Sequence, residues 1–104
     1  RIDATTSNEI LSVTPANHSE DISKDVELAV TLKRGLSDQE IKTINAKIKP
    51  KGGQYLKVEK HFENATLYFN STLSLHSRTN YIAEITIELE NGDKLSYNWA
   101  FDTK

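Results

Sequence analysis

The sequence predicts an all-β protein, an antiparallel β-sandwich of about seven strands with a short helical turn near residues 37–43. Two observations lead to this prediction. Short segments that alternate between apolar and polar residues recur along the chain, with turn-forming residues between them about every 8–12 positions. A parallel α/β sheet would need crossovers of about a dozen residues, usually helical, and the intervening segments are too short for them.

Length and composition indicate one small domain. The 104 residues are 37% hydrophobic and 27% charged, which is enough for a single thin core. The formal net charge is −2, and Lys and Arg are spread along the chain, so no basic face typical of a nucleic-acid binder is indicated. No apolar run approaches the ~20 residues that span a bilayer. We therefore expect no nucleic-acid partner and no membrane insertion.

Cysteine and methionine are both absent. The lack of Cys excludes a disulfide framework, a thiolate metal site and a cysteine nucleophile. Because the chain begins at Arg1 and contains no Met, we expect it to be a piece of a longer protein. Residues 1–8 are polar and lack periodicity, which predicts a linker or disordered N-terminal end before one domain over residues 9–104.

The first part of that domain contains two predicted strands joined by a polar crossover. Residues 9–14 form a short first strand, and residues 26–33 alternate strictly between apolar and polar side chains. Pro15 ends the first strand because it has no backbone donor for a sheet. Ile22 is the aliphatic residue within the crossover and is predicted to cover that end of the core.

The middle of the chain combines a capping signal with three more strands. Ser37 and Glu40 have the spacing of a capping box, which predicts one or two helical turns over residues 37–43. Gly and Asn residues then separate three alternating segments, at residues 44–50, 55–62 and 65–70.

The most regular alternation lies in the last quarter of the chain. Residues 81–89 and 94–102 alternate around an Asn-Gly pair, which tolerates positive φ and predicts a long hairpin with one apolar face. The predicted core collects the inward positions of all these strands: Leu11, Val13, Ile22, Leu28, Val30, Ile44, Ile48, Leu67, Phe69, Tyr81, Ile85, Ile87, Trp99 and Phe101.

Three motifs resemble bacterial Ig-like domains of the S-layer and surface-protein type. The segment "ILSVTPANHSEDISKDVELAVTL" has their order of an aliphatic start, a Pro-x-Asn-x-Ser turn, an aliphatic residue and an alternating strand, through Pro15, Asn17, Ser19, Ile22 and residues 26–32. Their "Leu-x-x-x-Thr-x-Tyr" entry and closing "Phe-x-Thr" recur at Leu75, Thr79, Tyr81, Phe101 and Thr103. The resemblance covers residues 9–104 and implies an Ig-like sandwich in which Tyr81 fits a tyrosine corner.

Several positions differ from the pattern of related domains. His18 stands where the family has Gly, and "LKRGLS" replaces the family's "Phe-Ser" motif after the second strand. Ala83 stands where antibody domains carry Cys, and Trp99 lies on the last strand rather than the third. The chain is therefore not an antibody-type domain.

The "TPA" start is also similar to that of small periplasmic copper-carrier proteins, which share the sandwich. That resemblance implies a copper site built from an N-terminal His and Met-rich stretches. Arg1 stands at the start of this chain and Met is absent, so the copper site does not carry over. No cofactor is predicted.

Histidines and carboxylates are the remaining candidates for metal binding. His18, His61 and His76 lie far apart with no His-x-His pair, which favours solvated histidines. Two groups of carboxylates could hold Ca²⁺ at a loop, although no Asp-x-Asp-x-Asp loop is present and carboxylates on a wet strand face are ordinary. These groups are Glu20, Asp21, Asp25 and Glu88, Glu90, Asp93.

Catalytic motifs are absent from the sequence. The Gly-x-Ser-x-Gly nucleophile elbow is missing, and Gly52-Gly53 lacks the frame of a phosphate-binding loop. Paired glycosidase carboxylates would need a cleft that a sandwich of this length does not offer. We predict no catalytic residue and no enzymatic activity.

Exposed aromatic residues could form a platform for carbohydrate. Tyr97 and Trp99 share the parity of the apolar face, which favours core packing, whereas Tyr68 has the opposite parity and is predicted to be exposed. The full set of candidates is Tyr55, Phe62, Tyr68, Tyr97 and Trp99.

The sequence supports three hypotheses about function. The first is a non-catalytic spacer or presentation module of a larger secreted or cell-wall-attached bacterial protein, whose partners are neighbouring domains of the same chain. Its chain ends would lie at opposite poles and hold those domains apart. The second is a carbohydrate- or protein-binding adhesion module for a glycan or a host protein. The third is an accessory domain of an extracellular hydrolase.

Overall fold

A computed structural model describes residues 10–33 and 35–104 of the protein. Over these residues it contains eight strands and no helix, in two four-stranded sheets ordered β1-β3-β6-β5 and β2-β8-β7-β4. The strands are β1 (Ile10–Thr14), β2 (Ser19–Ile22), β3 (Leu28–Leu32), β4 (Ile41–Pro50), β5 (Val58–Glu63), β6 (Thr66–Ser71), β7 (Asn80–Leu89) and β8 (Lys94–Thr103). The predicted all-β sandwich is confirmed, with one strand more than expected. The linker predicted for residues 1–8 lies outside the described residues.

The core lies between the two sheets and follows the alternation of the strands. Every second side chain of β7 is buried, from Tyr81 to Leu89, and these side chains face those of β3 and β6. Phe69 meets Trp99 edge to face, with ring centroids 6.1 Å apart. Burial of each large aliphatic or aromatic side chain contributes about 1.5–3 kcal/mol, so the central strands provide most of the stability.

β2 is the strand that was not predicted from the sequence, and it comes from the crossover that follows Pro15. β1 pairs antiparallel with β3, whereas β2 pairs parallel with β8, so the chain leaves one sheet and joins the other. Pro15 is buried at this switch, and its peptide bond is cis. An irregularity in the β2 register, with Asp21 at φ 59°, interrupts the period of two that would have revealed the strand in the sequence.

Hydrogen bonds to β8 hold the crossover in place. The His18 N–H donates to the Ala100 carbonyl at 2.6 Å, and the Ala100 N–H donates to the Asn17 side-chain oxygen at 3.0 Å. The Lys104 N–H donates to the Ile22 carbonyl at 2.9 Å. Ile22 packs against the core, as predicted from its place in the polar stretch.

Leu11 does not belong to the core, contrary to the prediction. A register shift between Ile10 and Ser12 turns the side chain outward and leaves it 64% exposed. Ile10 and Val13, on either side of the shift, pack against the core instead. One extra residue in a strand reverses the faces beyond it, and the sequence alternation alone does not show such a bulge.

The helical turn predicted over residues 37–43 is a single hydrogen-bonded turn. The Glu40 N–H donates to the Ser37 carbonyl at 3.0 Å, and the Ser37 N–H donates to Glu40 Oε1 at 3.1 Å. The capping contacts therefore form, but β4 begins immediately afterwards, at Ile41. Pairing of Ile41 with Leu89 and burial against the core favour an extended backbone over a second helical turn.

The two poles of the sandwich are defined by the loops that meet there. The β1 pole holds the start of β1, the turn at residues 64–65 and the hairpin at residues 90–93. Ile10 pairs with Leu32, and the Leu32 N–H donates to the Ala65 carbonyl. The β8 pole holds the end of β8 and the loop before β7, since the Thr103 N–H donates to the Thr79 carbonyl at 3.0 Å. The described strands thus start at one pole and end at the other, along a long axis of 40 Å.

Tyr81 forms the tyrosine corner that the sequence suggested. Its ring is fully buried, and its hydroxyl accepts a hydrogen bond of 2.7 Å from the His76 N–H. Thr103 completes this corner, because its hydroxyl donates to the His76 carbonyl at 2.6 Å and accepts from the Thr79 N–H at 2.9 Å.

We expect the Tyr81→Phe substitution to lower the free energy of unfolding by about 1–3 kcal/mol, because it removes the acceptor of the His76 N–H while keeping the ring. Urea unfolding would measure the change. Tyr68→Phe is the matched control, since the Tyr68 ring stacks on His61 and its hydroxyl forms no hydrogen bond within the described residues. Equal losses in the two variants would contradict a stabilising role for the corner.

Two leucine-to-alanine substitutions test the reassignment of Leu11. Leu67→Ala should cost about 2–5 kcal/mol, because the Leu67 side chain is 1% exposed in the core. Leu11→Ala should change stability by no more than about 0.5 kcal/mol, as for other surface positions. Thermal and urea unfolding would compare them, and a large loss in Leu11→Ala would place this side chain in the core.

Candidate functional site

The three histidines lie in different parts of the sandwich. His18 and His76 are exposed in loops, as predicted, but His61 lies on β5, where its ring stacks on Tyr68 with centroids 6.4 Å apart. His61 Nε2 is also 3.4 Å from Glu63 Oε1. Across residues 10–33 and 35–104, no group of three His, Asp or Glu side chains could hold a metal ion.

Three of the six carboxylates considered for Ca²⁺, those of Asp25, Glu88 and Asp93, form local hydrogen bonds. Asp25 accepts a hydrogen bond of 2.7 Å from the Ser74 hydroxyl, and Glu88 lies 3.5 Å from the Thr43 hydroxyl. The Asp93 N–H donates to the Asn91 side-chain oxygen at 2.8 Å and closes the β7–β8 turn. These contacts shape loops and strand surfaces and do not converge on one point.

The aromatic candidates divide into buried and exposed residues. Trp99 is 3% exposed, and its Nε1 has no hydrogen-bond partner in the described part of the chain. Tyr97 is half-buried against Trp99, and both residues pack with the core as predicted. Phe62 and Tyr68 are half-buried, so Tyr68 is less exposed than expected. Tyr55 is 47% exposed and is the clearest surface aromatic among the candidates.

The segment that carries Tyr55 is held against the edge of β4 that does not pair with β7. A turn at residues 50–53 reverses the chain, with the Gly53 N–H donating to the Pro50 carbonyl at 2.8 Å and Gly52 at φ 78°. The Leu56 N–H then donates to the Ile48 carbonyl at 2.8 Å. This bond joins the segment to the otherwise free edge of β4.

Tyr55, Lys47, Lys49 and Glu84 form a cluster on the exposed sheet face, which we call the Tyr55 patch. The Tyr55 hydroxyl donates to Glu84 Oε2 at 2.6 Å, and Lys47 Nζ and Lys49 Nζ lie 5.0 Å and 4.9 Å from the ring centroid. The lysines occupy alternate positions of β4, and Lys47 pairs with Glu84 in the β4–β7 register. Contacts of this kind between a cation and a ring contribute about 0.5–1 kcal/mol at exposed sites.

The electrostatics of the Tyr55 patch keep the phenol protonated. The hydrogen bond to Glu84 raises the pKa of Tyr55 above its ordinary value, and desolvation and the negative charge of Glu84 raise it further. The hydroxyl is a donor at neutral pH, and its hydrogen bond of 2.6 Å to Glu84 restrains the orientation of the ring.

Sequence reasoning identified Tyr55 but missed the three side chains around it. Two signals were present in the sequence. Lys47 and Lys49 have the wet parity of an alternating strand, and residues 41–58 contain no Asp or Glu but several lysines: Lys42, Lys47, Lys49, Lys51 and Lys57. The approach of Glu84 could not be seen, because it depends on the register of β4 with β7.

A concavity at the β8 pole is a weaker candidate for a binding site. It measures about 180 Å³ and lies between residues 24–26 and 70–75, with Leu73 78% exposed at its edge. Pockets for small ligands are usually about 300–1,000 Å³ and largely enclosed. The Tyr55 patch, an open face, is therefore the better candidate.

Two further observations bear on the class of protein. In the described part of the chain, no helix is long and apolar enough to cross a membrane. A search of curated protein sequences gives no significant match.

Solved structures with a similar fold include CopC, PcoC and a filamin domain. CopC from Methylosinus trichosporium OB3b is 9% identical, with a TM-score of 0.73, and the match covers 92% of each chain. PcoC, a methionine-rich copper resistance protein from Escherichia coli, is 13% identical, with a TM-score of 0.73 over 92% of this chain and 97% of PcoC. The Lin-41 filamin domain is 18% identical, with a TM-score of 0.56 over 89% of this chain and 90% of that domain. At these identities the likeness shows the fold alone.

The residues of this chain do not fit the copper chemistry named for those neighbours. Thioether and thiolate groups are the soft ligands that suit Cu(I), and the sequence contains neither Met nor Cys. The three histidines do not form a ligand cluster with carboxylates among the described residues.

The raised pKa of Tyr55 gives a direct test of the Tyr55 patch. The hydrogen bond to the Glu84 carboxylate should be present from neutral pH up to the ordinary pKa of tyrosine and be lost as pH rises through the raised value. Glu84→Gln should lower the pKa of Tyr55, because it removes the negative charge beside the phenol. An NMR titration of ¹³C-labelled tyrosine would measure it, with Tyr55→Phe to assign the resonance and Glu20→Gln as the charge-matched control. An unchanged pKa in Glu84→Gln would show that the two side chains are apart in solution.

The family follows from a match along nearly the whole chain. The model of the bacterial Ig-like domain family matches residues 4–103. The described sandwich, with its tyrosine corner at Tyr81, has the fold that this family implies. The chain therefore belongs to the bacterial Ig-like domain family.

Proposed function

We propose that the chain is a non-catalytic spacer or presentation module of a larger secreted or cell-surface bacterial protein. The observation that carries this proposal is the placement of the described strands, which start at the β1 pole and end at the β8 pole of a sandwich 40 Å long. A module of this shape separates whatever is attached at its two ends by a fixed distance. Its partners are then the neighbouring domains of the same chain.

The pairing of β2 with β8 supports a mechanical role. The two strands run parallel, so a force that pulls the two poles apart displaces them in opposite directions along their length. The hydrogen bonds between them are then loaded together in shear and do not open one after another. The contacts of Asn17, His18 and Ile22 with β8 and the C-terminal residue provide this connection.

Polar side chains in the described sandwich also fit a structural role. Thr103 is 5% exposed and is fully occupied by the loop before β7. The Asn80 side-chain amide donates to Asp102 at 2.7 Å across the β7–β8 pair. These groups tie the β8 pole together, and each is committed to a bond within the fold.

The spacer proposal is tested in the parent protein. We expect deletion of the domain to shorten the distance between flanking domains by roughly the 40 Å long axis, as measured by small-angle scattering. Replacement by an unrelated Ig-like sandwich of equal length should restore both distance and activity. Loss of activity in the replacement variant would contradict a purely spacing role.

A second candidate is a binding module for glycan or protein, and the exposed, fixed ring of Tyr55 favours it. A glycan array probed with the isolated domain would separate the two candidates. An adjacent catalytic domain in the parent protein would instead favour the accessory role in a hydrolase.

A further inference from the structure

The Tyr55 patch contains two cations, Lys47 and Lys49, and one carboxylate, Glu84. Within the described residues, neither Lys47 nor Lys49 forms an ion pair, and Glu84 is occupied by the Tyr55 hydroxyl. The surrounding segment, residues 41–58, carries five lysines and no acidic residue: Lys42, Lys47, Lys49, Lys51 and Lys57. The patch is therefore locally positive on a chain whose formal net charge is −2.

Protection of the β4 edge against pairing with another chain explains some of these lysines but not the exposed ring of Tyr55. β4 is an edge strand, and lysines on an edge strand discourage pairing with a second chain. An aromatic ring that is 47% exposed adds nothing to that protection. The ring is also held by a hydrogen bond of 2.6 Å and by the backbone bond at Leu56, so binding would cost little ordering entropy.

The combination of ring and cations restricts the ligand. The face of an aromatic ring is electron-rich and packs on C–H groups that carry partial positive charge, such as those on the apolar face of a pyranose. Both lysine ammonium groups lie over the Tyr55 ring, 5.0 Å and 4.9 Å from its centroid, so a ligand unit that packs on this ring meets the two cations and must offer an apolar face and an anion together. A uronic acid does so, because its carboxylate is attached to the sugar ring.

We propose that the Tyr55 patch binds a uronic-acid residue of an acidic polysaccharide. Tyr55 stacks on the apolar face of the pyranose, and Lys47 and Lys49 bind its carboxylate. The exposed side-chain amide of Asn45 on the same face of β4 can bond sugar hydroxyl groups. The open sheet face accommodates an extended chain, which an enclosed pocket would not.

The proposal favours a uronate over other polyanions. Polyphosphate lacks an apolar face for the ring. Single-stranded nucleic acid is bound along a positively charged groove that follows successive phosphates, and here the positive charge is confined to one segment.

The inference rests on the second candidate function, binding of a glycan, and names its ligand class. The probe is a tetramer of galacturonate, and the fully methyl-esterified tetramer is the matched neutral ligand. We expect ¹H–¹⁵N NMR titration of the isolated domain to shift the resonances of Lys47, Lys49 and Tyr55 with the acidic tetramer and not with its ester. The shifts should decrease as salt concentration rises.

Variants separate the patch from general electrostatic attraction. Lys47→Gln with Lys49→Gln should weaken binding about tenfold, or about 1.4 kcal/mol, since it removes both exposed charge contacts to the carboxylate. Tyr55→Ala should weaken binding more than the double lysine variant does. Tyr55→Phe should keep most of the binding, because the aromatic ring remains. Lys33→Gln with Lys60→Gln removes the same charge from the residue after β3 and from β5, and should leave binding unchanged. Thermal unfolding confirms that each variant is folded.

Several results would overturn the proposal. Equal loss of binding in the Lys33/Lys60 control, or equal binding of the neutral ester, would exclude a specific uronate contact. Tighter binding of a sulfated oligosaccharide or of single-stranded DNA would assign the patch to another polyanion. Binding of a neutral glycan at another face would overturn this inference alone, whereas no glycan binding of any kind would also remove glycan binding from the second candidate function.

Discussion

The buried hydroxyl of Tyr81 and the hydroxyl of Thr103 hold the β8 pole together. Both bond to the backbone of the loop before β7, at His76 and Thr79. This loop leads into β7, in which every second side chain is buried. Tyr81 pairs with Phe101, so its position sets where β7 starts against β8. The end of β8 in turn receives β2. The course of the chain from one pole to the other therefore depends on this corner.

The sandwich separates stability from surface chemistry. Nearly all inward side chains of β3, β6, β7 and β8 are buried and provide the hydrophobic free energy. The outward positions of the same sheets are polar and free to change without loss of the core. The Tyr55 patch lies on such an outward face, where a ligand can reach it. A spacer that also binds a glycan would use the two sides of one sheet for the two tasks.

Local sequence patterns were enough to predict most of the fold. The alternation around residues 81–89 and 94–102 reported both strands of the long hairpin, because an antiparallel sheet with one wet face repeats every two residues. The same reasoning failed at Leu11 and at β2, where an extra residue breaks the period. It also overestimated the turn at Ser37, because a capping signal is local and the pairing of Ile41 with β7 is not.

The sequence alone determined the class of fold, the inward faces of the central strands and the family to which the chain belongs, since each depends on spacing along the chain. Tertiary structure decided the partner of β2, the outward direction of Leu11 and the meeting of Tyr55 with Glu84. These features join residues distant in sequence, and their positions depend on strand register and on one turn. The Tyr55 patch exists because the turn at residues 50–53 folds one segment back onto its neighbouring strand.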